Sequence, residues 1–258
     1  MSTPILRFLL ASSLFFALFA SCSDGDGGGD YSLSASEGIN YFTTARSWSF
    51  ARTEIALLVE ATGSMGDELN FLKEDLRSVI QRIKAANTTL DVATATVFYR
   101  DTGDDYVTRH SGFTSDVSST VDFIRQQAAS GGDFPEAVHA ALRVAVDELQ
   151  WSAQARTRIA FLLLDAPPHE DRQVMEEYRE LVKSAAAKGI RIVPVTASGI
   201  DKATEFLMRQ TAIATNGTYV FITNDSGIGN DHLEATVGDY EVEFLNDLLV
   251  RLVGEYTE

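Results

Sequence analysis

The stretch Ile55-Ala-Leu-Leu-Val-Glu-Ala-Thr-Gly-Ser-Met65 decides the fold of this chain. Its apolar half is typical of a buried strand, and the strand ends in three oxygen-bearing side chains at alternate positions, Glu60, Thr62 and Ser64. The residues that follow, Gly66-Asp67-Glu68 and then a long amphipathic segment, indicate a tight turn and the start of a helix. Oxygen atoms gathered in such a turn can hold a hard cation.

Strand-like and helix-like segments alternate along the rest of the chain. Short apolar runs predict strands, and apolar residues at helical spacing predict helices. The predicted strands cover residues 54–60, 91–99, 104–110, 158–165, 190–197 and 218–223. The predicted helices cover residues 67–86, 115–129, 135–149, 173–188, 203–214 and 241–255.

This alternation predicts a doubly wound α/β domain with a mostly parallel central sheet and helices on both faces. The most apolar strand, 158–165, should lie centrally, and strand 104–110 should form a hairpin with the strand before it. Ligands bind such sheets outside the carboxyl ends of the strands, where the strand order reverses. Glu60 and Asp165 each end a predicted strand, so neighbouring strands would bring both carboxylates into one crevice.

The composition favours cations or basic partners over nucleic acid. The chain has 258 residues, with 21 Lys and Arg against 37 Asp and Glu, and a net charge of −16. Binding to phosphate backbones relies on clustered basic side chains, and the excess of acid argues against it. An acidic surface suits divalent cations or basic partners, although it also serves solubility alone.

The first 21 residues predict an export signal. Arg7 precedes an apolar run, Phe8 to Ala20, that is shorter than the roughly 20 residues needed to span a bilayer and matches the core of a signal peptide. The segment resembles a bacterial lipoprotein signal with Phe19-Ala20-Ser21-Cys22 as its lipobox, Phe19 standing where Leu is more usual. The resemblance implies that Cys22 carries a lipid that anchors the chain in the bacterial cell envelope, on the periplasmic or surface face of a membrane such as the outer membrane. An ordinary signal peptide with an incidental cysteine is the alternative.

The predicted organisation has three parts: a signal peptide over 1–21, an acidic, glycine-rich tether and irregular lead-in over 22–53, and the α/β domain over 54–258. The tether, Ser23 to Asp30, has too few apolar side chains to fold. Because Cys22 is the single cysteine, no disulfide within the chain is expected.

Residues 54–256 resemble a von Willebrand factor type A domain, most closely its bacterial and hemicentin-like members. Four segments carry the resemblance, in order: Thr62 to Leu69, Tyr99-Arg-Asp101, Gly131 to Ala137 and Asp165 to His169. The family's metal ion-dependent adhesion site has the pattern Asp-x-Ser-x-Ser, then a distant Thr, then a distant Asp. The matching positions here are held by Glu60, Thr62, Ser64, Asp133 and Asp165.

The resemblance implies a bound divalent cation and a protein ligand whose acidic residue completes the metal shell. Oxygen ligands without sulfur or imidazole suit Mg²⁺, at about 2.1 Å, and argue against a dedicated zinc site. The chain departs from the family pattern twice, because Glu60 stands in place of Asp and Asp133 in place of Thr. With Asp165 these acids would bring three negative charges, which makes Ca²⁺ or Mn²⁺ alternatives to Mg²⁺.

Each predicted ligand also has a structural alternative. The end of the first strand and its helix cap would account for Glu60, Thr62 and Ser64 without a metal. Asp133 would cap the helix that starts at Pro135, and Asp165 would hydrogen-bond the turn after its own strand. An interaction or scaffold domain of the same fold that has lost its metal is therefore the second predicted function.

The sequence argues against a hydrolase. Gly63-Ser64-Met65-Gly66 lacks the spacing of a nucleophile elbow, and no phosphate-binding P-loop pattern occurs. A haloacid-dehalogenase-type phosphatase would need two aspartates at the end of the first strand, where this chain has Glu60 and Thr62. A binding domain without enzymatic activity is predicted.

Two further features are predicted to be structural. Asp101, Asp104 and Asp105 form an acidic run that is interpreted as a solvated loop. His169 is expected near the crevice, in a structural role.

Overall fold

The structure, a computed structural model, describes residues 51–86, 88–132, 134–197, 200–222 and 243–258. The predicted signal peptide, the tether with Cys22, most of the lead-in, and Asp133 lie outside the described residues. Within the described ranges, no helix has the length and apolar character needed to cross a membrane.

Six strands form one central sheet. They are β1 (Ala51–Glu60), β2 (Leu90–Tyr99), β3 (Thr108–His110), β4 (Thr157–Leu164), β5 (Ile190–Thr196) and β6 (Val220–Phe221). Their order across the sheet is β3-β2-β1-β4-β5-β6. Neighbours pair in parallel except β2 and β3, which form the predicted antiparallel hairpin. The predicted α/β architecture is confirmed.

Helices occupy the segments between the strands. They are α1 (Gly66–Ala86), α2 (Val117–Arg125), α3 (Val138–Arg143), α4 (Arg172–Ala187), α5 (Lys202–Ala214) and α6 (Leu245–Thr257). A 3₁₀ turn, Gly63–Met65, precedes α1, and a π-helical turn, Val144–Glu148, continues α3. The helix predicted from residue 135 begins only at Val138, because the residues before it run alongside the turn after β4.

The core has two apolar layers, one on each face of the sheet. Along β1 the side chains alternate, so that Leu57 and Val59 pack in the layer that contains α1 and α6, and Leu58 packs in the layer that contains α3 and α4. Leu58 and Val59 are both fully buried. Burial on both faces explains why the strand reads as a continuous apolar run.

The strand order reverses between β1 and β4. From β1 the chain moves outward to β2 and β3, then returns to the other side of β1 with β4, β5 and β6. Parallel pairing sets Val59 opposite Leu163. Glu60 and Asp165 therefore lie side by side at the carboxyl ends of two adjacent strands. The predicted crevice therefore lies at the reversal point of the sheet.

Candidate functional site

Three predicted ligands contact one another where β1 ends. Thr62 Oγ1 donates a hydrogen bond to Glu60 Oε1 at 2.7 Å and lies 3.2 Å from Ser64 Oγ. Glu60 and Thr62 are buried, whereas Ser64 is exposed. The side chains at alternate positions thus converge, with one hydroxyl at the surface and a carboxyl group below it.

Asp165 reaches the same place from the neighbouring strand. Its backbone N–H donates to Glu60 Oε2 at 3.1 Å, and its carboxylate lies near enough to the Glu60 carboxyl group to raise the pKa of that group. Asp165 is only 4% exposed, and its Oδ1 has no hydrogen-bond partner among the described residues. A buried carboxylate oxygen without a partner is costly, so a cation here would stabilise it.

The electrostatics of the pair also favour a cation. Burial raises the pKa of Glu60 well above its ordinary value of 4.5, and the charge of Asp165 raises this pKa further. Across the described part of the chain, no ion pair involves Glu60 or Asp165. The raised pKa favours the neutral, protonated form of the Glu60 carboxyl group, and a divalent ion that bound here would compete with that proton.

Glu136 is a buried acid of this site that sequence reasoning missed. It is fully buried, and its charge raises the pKa values of Glu60 and Tyr99, so its carboxyl group lies near both. Its backbone N–H donates to Pro167 O at 2.9 Å, which ties it to the turn after β4. The available signal was its position inside the segment Gly131 to Ala137, directly before an apolar helix.

The arrangement does not yet form a closed metal shell. Asp133 falls outside the described residues, and among the described residues, this site included, no group of three or more His, Cys, Asp or Glu side chains is placed to hold a metal. Glu60 and Asp165 face each other, and the other two predicted ligands, Thr62 and Ser64, are hydroxyls. Ion binding here would require the Glu60 proton to leave and the carboxylates to turn toward the ion.

Comparison with known proteins establishes the family. Residues 54–228 match a family model described as von Willebrand factor A domain, and this range includes every predicted ligand from Glu60 to Asp165. The chain belongs to the von Willebrand factor A domain family. The resemblance carried by the four sequence segments is therefore confirmed at the level of the family.

Two individual proteins are similar to this von Willebrand factor A domain. A protein of Acanthamoeba polyphaga mimivirus, named as an ariadne-like RING finger protein, is 28% identical over 221 residues, which is 79% of this chain and 20% of that protein. The chain thus spans about a fifth of that relative's length. The crystal structure of the conserved hypothetical protein BatB from Bacteroides thetaiotaomicron aligns with a TM-score of 0.53 at 14% identity, covering 79% of this chain and 98% of that one. This second likeness concerns the fold alone.

In this von Willebrand factor A domain, a glycine loop closes over the end of β1. The backbone N–H of Gly63 donates to Gly131 O at 3.2 Å. Gly131 and Gly132 have φ angles of +88° and +135°, which side chains of L-residues rarely adopt. A Cβ atom at Gly131 would also lie 2.8 Å from Asp104 Oδ1. Close approach of the loop to the site therefore depends on glycine.

Arg100 holds the same loops together from below. Its Nε donates to Ala61 O at 2.9 Å, and its Nη2 donates to Ala128 O at 2.6 Å. The guanidinium also stacks over the ring of Tyr106, 4.5 Å from the centroid. Its donors reach two backbone carbonyls, and its Nη1 lies 3.9 Å from Asp105 Oδ2. This buried cation therefore ties the site loops together, and in the described part of the chain it forms no ion pair with Glu60 or Asp165.

The rim of the domain contains a histidine–aspartate pair. His169 Nε2 lies 2.5 Å from Asp101 Oδ1. The centroids of the His139 and His169 rings are 6.4 Å apart. Burial lowers the pKa of His139. The predicted solvated loop is confirmed for Asp105, whose side chain is 85% exposed, but is wrong for Asp101, because His169 from a distant segment contacts it.

Proposed function

We propose that this von Willebrand factor A domain binds a protein partner through a divalent cation held at the carboxyl end of its sheet, and that it is not an enzyme. The family supports the general part, since its members commonly serve as interaction domains. One observation carries the metal: Asp165 Oδ1 is buried beside the Glu60 carboxyl group and has no hydrogen-bond partner among the residues that the structure describes. A cation would coordinate the unpartnered oxygen and would neutralise part of the excess negative charge.

The chain offers a chemically consistent set of ligands. Glu60, Thr62, Ser64 and Asp165 would hold the ion, joined by Asp133 as predicted from the sequence, with Glu136 close by. All are oxygen donors, as hard cations require. Three or four carboxyl groups favour Ca²⁺ or Mn²⁺ alongside Mg²⁺. A bound ion would supply positive charge and an open coordination position for an acidic residue of the partner.

A second function is favoured by a different observation. The described residues provide no ready-made cluster of metal ligands, and the raised pKa of Glu60 lets a proton take the place of an ion. A domain in this state would bind its partner through loops alone, as an interaction or scaffold domain without metal. The two candidates share the fold and differ only in what lies between Glu60 and Asp165.

Titration calorimetry separates these two candidates. The full chain, purified in a non-ionic detergent, is titrated with Mg²⁺, Mn²⁺ and Ca²⁺. Heat of binding is expected with at least one ion and should disappear in Asp165→Ala. The exposed Asp122→Ala is the matched control and should bind as the unsubstituted chain does. Absence of heat with all three ions, in a folded protein, would leave the metal-free function standing.

The absence of enzymatic activity has its own test. Neither a phosphatase nor an esterase assay with generic substrates should show turnover that depends on Glu60 or Asp165. Turnover that is lost in Glu60→Gln and kept in Asp122→Ala would replace the binding function with a hydrolytic one.

We also propose that the chain is exported and anchored by a lipid on Cys22 in a bacterial cell envelope. The support is the short apolar run behind Arg7 and the small residues that directly precede the cysteine. Palmitate labelling in cells should vanish in Cys22→Ala. Label that persists in this variant would show that the leader is of another kind.

A further inference from the structure

A groove of about 610 Å³ opens beside the candidate site. It is lined by Phe134, Pro135, Pro167, Pro168, His169, Glu170, Asp171 and Asp201. One wall comes from the segment before α3 and another from the turn after β4. These walls are joined by the hydrogen bond from Glu136 N–H to Pro167 O, so the groove borders the ion site directly.

The groove carries negative charge. Glu170, Asp171 and Asp201 line it, and no Lys or Arg does so in the described part of the chain. Asp201 accepts a hydrogen bond from Thr204 N–H at 2.7 Å, which lowers its pKa and favours the carboxylate form. The N-termini of α4 and α5 lie at Asp171 and Asp201 and contribute only about half a positive charge each. Three full carboxylate charges exceed that contribution.

The rest of the lining suits the apolar stem of a long cationic side chain. Phe134 is 58% exposed, and three prolines add to the apolar lining of the groove. An aromatic face attracts an ammonium or guanidinium group within about 6 Å of its centroid. Lys and Arg place their methylene groups on such surfaces while the charged end reaches nearby carboxylates.

We propose that this groove binds a Lys or Arg side chain of the protein partner. The inference deepens the proposed function. It rests on that function for one point only, that the partner is a protein. An acidic side chain would meet three carboxylates here and be repelled, whereas a basic one gains from each of them. The partner surface would then present a basic side chain next to the group that contacts the ion.

Nuclear magnetic resonance of labelled histidines tests the groove directly. The chain has 4 histidines, so His169 can be assigned by its absence in His169→Asn. The labelled full chain, in a non-ionic detergent, is titrated with the N-acetyl methylamides of lysine and arginine. The norleucine analogue serves as the uncharged probe. Saturable shifts of the His169 signal are expected with lysine and arginine, and none with norleucine.

Charge-matched variants establish where these probes bind. Glu170→Gln combined with Asp171→Asn should raise the apparent Kd of both cationic probes by roughly tenfold. Asp122→Asn combined with Glu180→Gln removes the same two charges from exposed positions on other faces and should leave the Kd unchanged. Phe134→Ala, at an exposed position, is a second and independent variant and should weaken binding several-fold.

The outcomes separate this inference from the proposed function. An unmoved His169 signal, an equal response to norleucine, or equal weakening in both charge-matched variants would overturn the groove proposal. Each titration is run with Mg²⁺, with Ca²⁺ and with a chelator, since both ions are diamagnetic and leave the His169 signal observable. Shifts at His169 that persist while no ion binds would sink the metal-dependent function and support the groove. Ion binding without shifts at His169 would support the metal-dependent function and overturn the groove proposal.

Discussion

Glu60 brings a carboxyl group into the interior at the end of the central strand. Its longer side chain, compared with the aspartate of the family pattern, reaches both Thr62 Oγ1 and the backbone N–H of Asp165. Those two donors stabilise the carboxyl group in either protonation state. The residue therefore acts as a link between the two strand ends as well as a predicted metal ligand.

Replacement of Glu60 by Gln should separate these two roles. Gln imitates the protonated acid, so the thermal stability of Glu60→Gln in chelator should equal or exceed that of the unsubstituted chain. The stabilisation by ion should be lost. For the unsubstituted chain it amounts to about 2.7 kcal/mol when the ion is at 100 times its Kd. Thermal unfolding with and without Mg²⁺ or Mn²⁺ measures both effects, and an unchanged response to ion in Glu60→Gln would remove this residue from the ligand set.

The raised pKa of Glu60 predicts a pH dependence of stability in chelator. Above the ordinary value of 4.5, the folded chain holds a proton that the unfolded chain has released. The free energy of unfolding should therefore fall as pH rises from that value through the raised pKa, by up to about 1.4 kcal/mol per pH unit. Urea unfolding at a series of pH values should show this fall in the unsubstituted chain and lack it in Glu60→Gln. Parallel curves for the two proteins would contradict the assigned pKa shift.

At the scale of elements, the loop that contains Gly131 and Gly132 sets how closely the site is closed. Its conformation depends on positive φ angles and on the near contact with Asp104. Arg100 fixes the preceding residues through Ala128 O. The loop and the 3₁₀ turn after β1 are thus held as one unit around the predicted ligands.

Gly131→Ala should disturb this unit. The left-handed conformation and the 2.8 Å approach to Asp104 Oδ1 together predict a loss of about 1–3 kcal/mol in the free energy of unfolding, with weaker ion binding. Gly254→Ala in α6 is the matched control, because a Cβ atom there meets nothing within 4 Å. The control should be neutral or more stable by about 0.5–1 kcal/mol. Equal unfolding midpoints in urea for the two variants would contradict a special role of the glycine loop.

The elements also show how far local sequence patterns reach. Apolar periodicity was sufficient for β1 and β4, because burial on both faces leaves a continuous run. It failed at residues 134–137, where Glu136 forms a bridge with Pro168 and delays α3. The predicted solvated loop likewise missed the contact of Asp101 with His169, which is distant in sequence. These contacts depend on tertiary structure, which local sequence patterns do not predict.

At the scale of the whole molecule, the order of the strands brings the site together. Because β1 and β4 are neighbours at the reversal point, Glu60 and Asp165 meet although 105 positions separate them. The sequence predicted that meeting on the condition that the two strands are neighbours, since parallel strands share their carboxyl edge, and the strand order meets this condition. The burial of Glu136 could not be predicted in this way, because it depends on how the turn after β4 packs.

The net charge of −16 places both the candidate site and the groove on a molecule that is acidic as a whole. An acidic molecule attracts cations over its whole surface, so binding at the strand ends must be distinguished from general attraction. Buried acids retain a bound ion at ionic strengths that screen exposed carboxylates. A located ion is therefore stronger evidence than an overall affinity.

The most direct measurement is a crystal structure of the chain grown with Mn²⁺, with data collected at the manganese absorption edge. The metal-dependent account predicts an anomalous peak enclosed by Glu60, Thr62, Ser64 and Asp165 that is missing in crystals of Asp165→Ala. A folded domain without a peak at this place, or with peaks only on exposed acids, would contradict it.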